Sequence, residues 1–335
     1  MYEAFFGLRE RPFDLTPDPR FLLMTPTHKE ALANLQYGLT ARKGLTVLIG
    51  EAGAGKTTLI RAALEQWQRF GHRVAHLSNP TLTRGEFFEY LAGAFDMSRE
   101  AAVSKARFLS EFLTMVTERH NTGGITGIVI DEAQSLSDEL LEEVRLLINA
   151  ESSSEKLFQV LLVGQPELGD RLSQPALRQI KQRIALRCTL ATLDVRQVAS
   201  YISGRIQTAG GLAGQVFTRE AVVAIHGYSH GIPRVINVIC DNAMLAGFAA
   251  NVRPVNTSII EEICREFAIE RYAAFAPLEP VRHAAVSPAA PLKLAPPVGS
   301  DDQRQDEQAE APHAAAAGGL FHQYIASGKR RFSFF

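Results

Sequence analysis

Cysteine is scarce in this chain. Cys188, Cys240 and Cys264 are scattered through 335 residues and form no C-x-x-C pair. That spacing excludes a disulfide framework and a thiolate metal site, and it makes a reducing cytoplasm the expected compartment. Long apolar runs are missing too. None approaches the roughly 20 consecutive apolar residues that a membrane-spanning helix needs, and the opening "MYEAFFGLRERPF" lacks the layout of a signal peptide. Nor is there an excess of charge of either sign. Lys and Arg number 35 against 36 Asp and Glu, a net charge of −1, so bulk charge neither announces nor excludes a nucleic-acid partner. Hydrophobic residues make up 46% of the chain, enough for one large or two modest domains with real cores.

The most informative stretch is "GEAGAGKTT": Gly50, Glu51, Ala52, Gly53, Ala54, Gly55, Lys56, Thr57 and Thr58. Gly50, Gly55, Lys56 and Thr57 satisfy the pattern G-x-x-x-x-G-K-[ST]. Backbone N–H groups wrap a triphosphate only where side chains do not intrude, a helix N-terminus favours anions, a lysine reaches the outer phosphates, and a hydroxyl ligates Mg²⁺. The context fits, with a short apolar run at 45–49 before the loop and a helical pattern at 58–67 after it.

Four apolar runs, 45–49, 74–77, 125–130 and 158–163, read as short strands separated by helix-length sequence, as parallel strands buried in a sheet require. From Asp194 onward only helices are expected, with Thr218 and Asn256 as N-caps. Near Ala273 the composition shifts to Ala, Pro and polar residues. Residues 273–319 read as a disordered linker, and 320–335, "LFHQYIASGKRRFSFF", as either a docking peptide or a frayed terminus.

A phosphate cradle also needs a metal holder and a group that orients water. "GIVIDEAQ", about 75 residues after the loop, supplies Asp131 for Mg²⁺ and Glu132 to polarise the attacking water. In the helix that follows, Ser137 reads as the N-cap with Asp138 and Glu139 in the first turn, a structural element.

An Asp-Glu pair at this place resembles the AAA+ family of P-loop ATPases. Within that family, "FFGLRERPFDLTPDPRFLLMTPTHKEAL", "LLVGQPEL" and "HGIPRVINVICDNAML" are similar to the ExeA-like ATPases of the general secretion pathway, the A component, and the resemblance covers about the first 270 residues. It implies an α/β fold in which a parallel sheet with helices on both faces is followed by a small all-α lid. The implied division is a nucleotide-pocket segment at 1–40, an ATPase core at 41–192 and the lid at 193–272. By the same resemblance Gln165 takes the sensor-1 place at the tip of the fourth strand run. Arg234 matches sensor 2, brought to the nucleotide by the lid, and Pro12 and Phe13 belong to a segment lining the adenine pocket or capping the core. Asn79 matches a polar residue that restrains the catalytic glutamate, or else caps its own turn. Among the arginines of "ALRQIKQRIALR", Arg178 and Arg183 are the candidates to reach a neighbouring subunit's γ-phosphate, ahead of Arg187. The cofactors implied are ATP and Mg²⁺, in a homo-oligomer with the nucleotide at subunit interfaces.

Two biological readings follow from the resemblance. One is an ATP-driven assembly factor for an envelope secretion or pilus-type machine, acting at the inner face of the cytoplasmic membrane through a membrane-anchored partner. Many ExeA-like chains continue into a membrane helix and a peptidoglycan-binding region, which are not found here. The other is an ATP-dependent duplex-DNA-binding regulator similar to the MuB- and TniB-like transposition ATPases, for which stand the basic clusters "ARKG", "RQIKQR" and "GKRR".

Overall fold

The protein is described by a computed structural model that covers residues 1–15, 19–21, 24–152 and 155–270. The expectations for 273–319 and 320–335 lie outside the described residues, as does part of the N-terminal segment around 16–18 and 22–23.

In chain order the elements are α1 (Glu3–Phe6), α2 (Pro26–Thr40), β1 (Leu45–Gly50), α3 (Lys56–Arg69), β2 (Arg73–Leu77), α4 (Arg84–Ala94), α5 (Arg99–Val103), α6 (Lys105–Asn121), β3 (Thr126–Ile130), α7 (Asp138–Leu147), β4 (Phe158–Gly164), α8 (Pro166–Leu172), α9 (Arg178–Lys181) and β5 (Ile184–Leu190). Four lid helices follow: α10 (Val195–Thr208), α11 (Arg219–Ser229), α12 (Pro233–Ala249) and α13 (Thr257–Glu266). The sheet is parallel with order β2-β3-β4-β1-β5. The three central strands β1, β3 and β4 are buried at every position, which is why their sequences are apolar without alternation. Leu45, Val47 and Ile49 pack on one face against α4, α6 and α7, and Leu48 packs on the other against α2 and α3.

The four strand expectations hold to within a residue at each end. The fifth strand, β5, was not expected. As an edge strand it buries Cys188 and Leu190 and exposes Ala185, Arg187 and Thr189, so only alternate positions face the core, unlike a central strand. Its period-two alternation, I-A-L-R-C-T-L, is the signal that identifies it.

The lid has its own hydrophobic cluster, built from all four of its helices. The caps expected there are present, since Thr218 Oγ1 accepts from Ala221 N at 3.1 Å and Asn256 Oδ1 from Ile259 N at 3.3 Å. Ser137 likewise accepts from Leu140 N at 3.2 Å. The N-terminal residues divide between the two cores. Tyr2, Phe6, Leu8 and Phe13 are buried in the lid cluster, whereas Ala31, Leu35 and Leu39 of α2 are buried against the sheet. Residues 1–15 are thereby strapped to the lid, with Arg9 N donating to the Ala209 carbonyl at 2.8 Å and Arg253 Nη1 to the Phe5 carbonyl at 2.7 Å.

Candidate functional site: a phosphate loop under a helical lid

β1 ends at Gly50 and the chain turns through the loop into α3. Two of its glycines occupy the left-handed region, Gly53 at φ +79° and Gly55 at φ +98°, a conformation that a side chain disfavours. A Cβ on Gly53 would also stand 2.6 Å from the Arg234 Cβ, because α12 begins directly against the loop and Arg234 N donates to the Gly53 carbonyl at 3.2 Å. Lys56, in the first turn of α3, is only 5% exposed. Its ammonium donates to the carbonyls of Gly50 at 2.9 Å and Glu51 at 3.0 Å. Burial lowers its pKa from the usual lysine value, against the pull of the Glu132, Asp131 and Glu51 carboxylates. Glu51 and Ala52 form the exposed rim of the loop.

Parallel pairing of β3 with β4 and of β4 with β1 brings the acidic pair beside this loop. Thr57 Oγ1 donates to Asp131 Oδ2 at 3.1 Å, so a hydroxyl and a carboxylate sit together where two hard oxygen ligands are wanted. Glu132 has φ +51°, a left-handed backbone for a non-glycine residue, and its N–H donates to Asp131 Oδ1 at 2.9 Å. Its Oε2 accepts from two amides, Gln134 Nε2 at 2.5 Å and Gln165 Nε2 at 3.1 Å. Burial opposes the charged form of Glu132, but these two donors and the Lys56 charge outweigh it and hold the carboxyl below the ordinary glutamate value. Gln165 stands between the loop and the acidic pair because β4 lies between β1 and β3.

Gln134 was not singled out in the sequence, although it stands two residues beyond the acidic pair. Its side chain is one of the two amides that bond Glu132. Asn79 Oδ1 instead accepts from Thr81 N at 3.2 Å, so the hydrogen bond it makes is the one that caps its own turn. Gln134 also accepts from Gln165 N at 3.2 Å, and its carbonyl takes a bond from Arg171 Nη1 at 2.8 Å, which pins the whole turn.

A cavity of about 230 Å³ opens between the loop and the lid, lined by Gly53, Ala54, Gly55, Lys56, Thr57 and Thr58 on one side and by Arg234 on the other. Pro12 and Phe13 do not line it. The Phe13 ring is 1% exposed and packs edge-on against Phe217 at 6.1 Å inside the lid core, because a fully apolar ring gains more from that core than from a solvent-open pocket. The N-terminal wall is formed by Asp14, Leu15 and Phe21. His28, also unanticipated, lines the cavity and is held by Thr25 Oγ1 on its Nδ1 at 2.5 Å; burial pushes its pKa down.

Arg178 and Arg183 are exposed, at the start of α9 and just before β5, away from this cavity. The Arg187 guanidinium lies against α8, within 2.7 Å of where a Gly169 Cβ would be.

The residues present suit a magnesium nucleotide. Thr57 and Asp131 place a hydroxyl and a carboxylate side by side, a donor set appropriate to a cation that completes its shell with phosphate and water. No described helix is long and apolar enough to cross a membrane.

Comparison with known proteins agrees with this geometry. A family model described as an AAA domain matches residues 39–172. General secretion pathway protein A of Aeromonas hydrophila is 40% identical over 249 residues, 74% of this chain but 45% of that protein, so the chain spans under half of that relative's length. Among solved structures, the ORC2 protein of Aeropyrum pernix, determined as ADPNP-ADP complexes, superposes with a TM-score of 0.56 at 18% identity, covering 78% of this chain and 72% of that one. Cdc6p of Pyrobaculum aerophilum gives a TM-score of 0.54 at 16% identity over 74% and 70% of the respective chains. At these identities the two structures speak for the fold alone.

Proposed function

Starting from the membership of this chain among the AAA+ ATPases, as a relative of general secretion pathway protein A, we propose that it hydrolyses Mg-ATP to drive assembly of an envelope secretion or pilus-type machine. The observation that carries the catalytic part is the convergence of Lys56, Thr57, Asp131, Glu132, Gln165 and Arg234 around one loop, although they come from four separate places in the chain.

In this reading the triphosphate lies on the backbone of residues 50–55 and on Lys56, whose ammonium exchanges its two carbonyl partners for phosphate oxygens. Mg²⁺, held by Thr57 and Asp131, supplies charge neutralisation at the outer phosphates. Glu132 orients the attacking water once it gives up a bond from Gln134 or Gln165, and the Gln165 amide then serves the γ-phosphate or the water. Arg234 carries the state of the phosphates into α12. Arg178 or Arg183 reaches the γ-phosphate of a neighbouring copy, which makes turnover depend on homo-oligomer formation. The membrane-anchored partner, and action at the cytoplasmic face of the membrane through it, rest on the 40% identity to general secretion pathway protein A.

The discriminating experiment uses Glu132→Gln, which should bind ATP yet turn it over about 100-fold more slowly or worse. Duplex-DNA binding by this variant, followed by fluorescence anisotropy with and without ATP across a salt series, separates the two biological readings. Absence of binding at moderate salt supports envelope assembly. Tight, ATP-dependent and salt-sensitive binding replaces it with the duplex-DNA regulator.

A further inference from the structure

Behind the phosphate loop, the far wall of the cavity carries four residues joined in a closed circuit: Arg205 and Tyr201 on α10, Asn237 on α12, and the backbone of Asp14 in the N-terminal strap. Arg205 Nη1 donates to the Tyr201 hydroxyl at 2.7 Å, the hydroxyl donates to Asn237 Oδ1 at 2.9 Å, and Asn237 Nδ2 reaches the Asp14 carbonyl at 3.5 Å. The same carbonyl accepts from Arg205 Nη2 at 3.4 Å, which closes the ring. Every direction in this circuit is forced. A guanidinium only donates, so the Tyr201 oxygen must accept from it and spend its one proton on Asn237. That turns the Asn237 amide so that its NH₂ faces the strap.

Arg205 is 8% exposed, an unusual place for a cation. Its remaining nitrogen, Nε, donates to the Pro12 carbonyl, and its guanidinium lies over the rings of Phe21 at 4.7 Å and Tyr201 at 5.4 Å. With the Phe13 ring at 6.0 Å, it thus holds two strap carbonyls and three aromatic rings at once.

We propose that the Arg205–Tyr201–Asn237–Asp14 circuit positions the base of the bound nucleotide, setting the width of the slot between strap and lid, with Arg205 as the positioning residue on which it hangs. The inference rests on the reading of this cavity as a nucleoside triphosphate site. With the phosphates on residues 50–58, the rest of the ligand faces this wall, where Leu15, Phe21 and Leu193 offer the apolar surface that a purine ring requires. The circuit makes the slot a property of three chain segments rather than one, so a base that fills it also holds the lid against the strap.

A ligand without a base provides the test. Binding of ATP and of inorganic tripolyphosphate to the full chain is measured by calorimetry for the wild type, Tyr201→Phe, Asn237→Leu and Arg205→Lys. Tyr201→Phe removes a single oxygen and keeps the ring, so it guards against a variant that fails to fold. The wild type is expected to bind ATP at least about tenfold more tightly than tripolyphosphate. Each variant should weaken ATP binding about tenfold, the loss of one or two interactions at the wall, and leave tripolyphosphate binding where it was. KM for ATP should rise by the same factor while kcat moves far less. Equal weakening of both ligands would show that the circuit merely supports the fold and would overturn the proposal, as would unchanged ATP binding in all three variants. If the wild type binds neither ligand, the reading of the cavity itself has failed, a distinct result.

Discussion

The sheet half and the lid half of the site are built by different means. On the sheet side, function sits on backbone: the loop after β1, the strand end that carries Asp131 and Glu132, and the tip of β4 at Gln165 are brought together by ladder pairing that fixes each strand against its neighbour. On the lid side, the wall is made of side chains from α10 and α12 that meet a strap from the other end of the sequence. Parallel pairing tolerates little error in register, so the catalytic groups sit on the rigid half. The two halves touch most closely where Arg234 N meets the Gly53 carbonyl.

Removing the charge at the heart of the rigid half should have the largest effect. Lys56→Ala is expected to lower ATP affinity by about two orders of magnitude, since it deletes the buried cation that answers the outer phosphates; calorimetry measures it, and near-normal affinity would remove the phosphate role from this loop. The seam comes next. Gly53→Ala places a methyl 2.6 Å from the Arg234 Cβ and forces a left-handed alanine, so ATP affinity should fall about tenfold with little change in the melting temperature of the sheet. If it instead behaves like wild type, the loop and the lid are not coupled at this contact.

Glu143 separates stability from chemistry. Its carboxylate is 4% exposed beneath Lys105, at 2.7 Å, and Arg84, and it ties α7 to α4 and α6 on the face of the sheet away from the loop. Because both cations are partly in water, Glu143→Ala should cost about 2 kcal/mol, less than the roughly 3–5 kcal/mol of breaking a fully buried pair. Chemical denaturation would show this loss, while KM for ATP stays within about twofold of wild type.

The smallest effect is with pH. Burial lowers the pKa of His28, beside the loop, and of His72, where the Arg42 and Arg119 charges add to it. Below the ordinary histidine value of 6.5 the unfolded chain therefore binds more protons than the native one. Stability from these groups is full above that pH and is lost as the pH falls. The melting temperature should drop between pH 7.5 and about 5.5, and less steeply in His28→Gln; an unchanged slope in that variant would assign the acid sensitivity elsewhere.

Much of the rigid half was legible in advance. A glycine-rich loop between strand and helix, and an Asp-Glu pair at the end of an apolar run, are local patterns whose residue types follow from phosphate and metal chemistry. β5 escaped because Arg187 and Thr189 alternate with its apolar residues and leave no continuous apolar run. Gln134 escaped because nothing local distinguishes an amide that reaches back to Glu132 from one facing solvent. For Phe13 the resemblance leaves open a place at the pocket or a cap on the core, and hydrophobic burial put the ring in the lid core.

What the sequence determined alone is the set of residues on hand: a glycine-rich loop ending in a lysine and a hydroxyl, an Asp-Glu pair at a strand end, and four strands and four lid helices marked by their periodicity and caps. Each depends on neighbours within a few residues. What only the tertiary structure decided is which amide restrains Glu132 and how Arg205, Tyr201, Asn237 and Asp14 share one ring of hydrogen bonds. Those partners are up to 223 residues apart, and no local periodicity encodes a contact that exists only after two separate cores have packed.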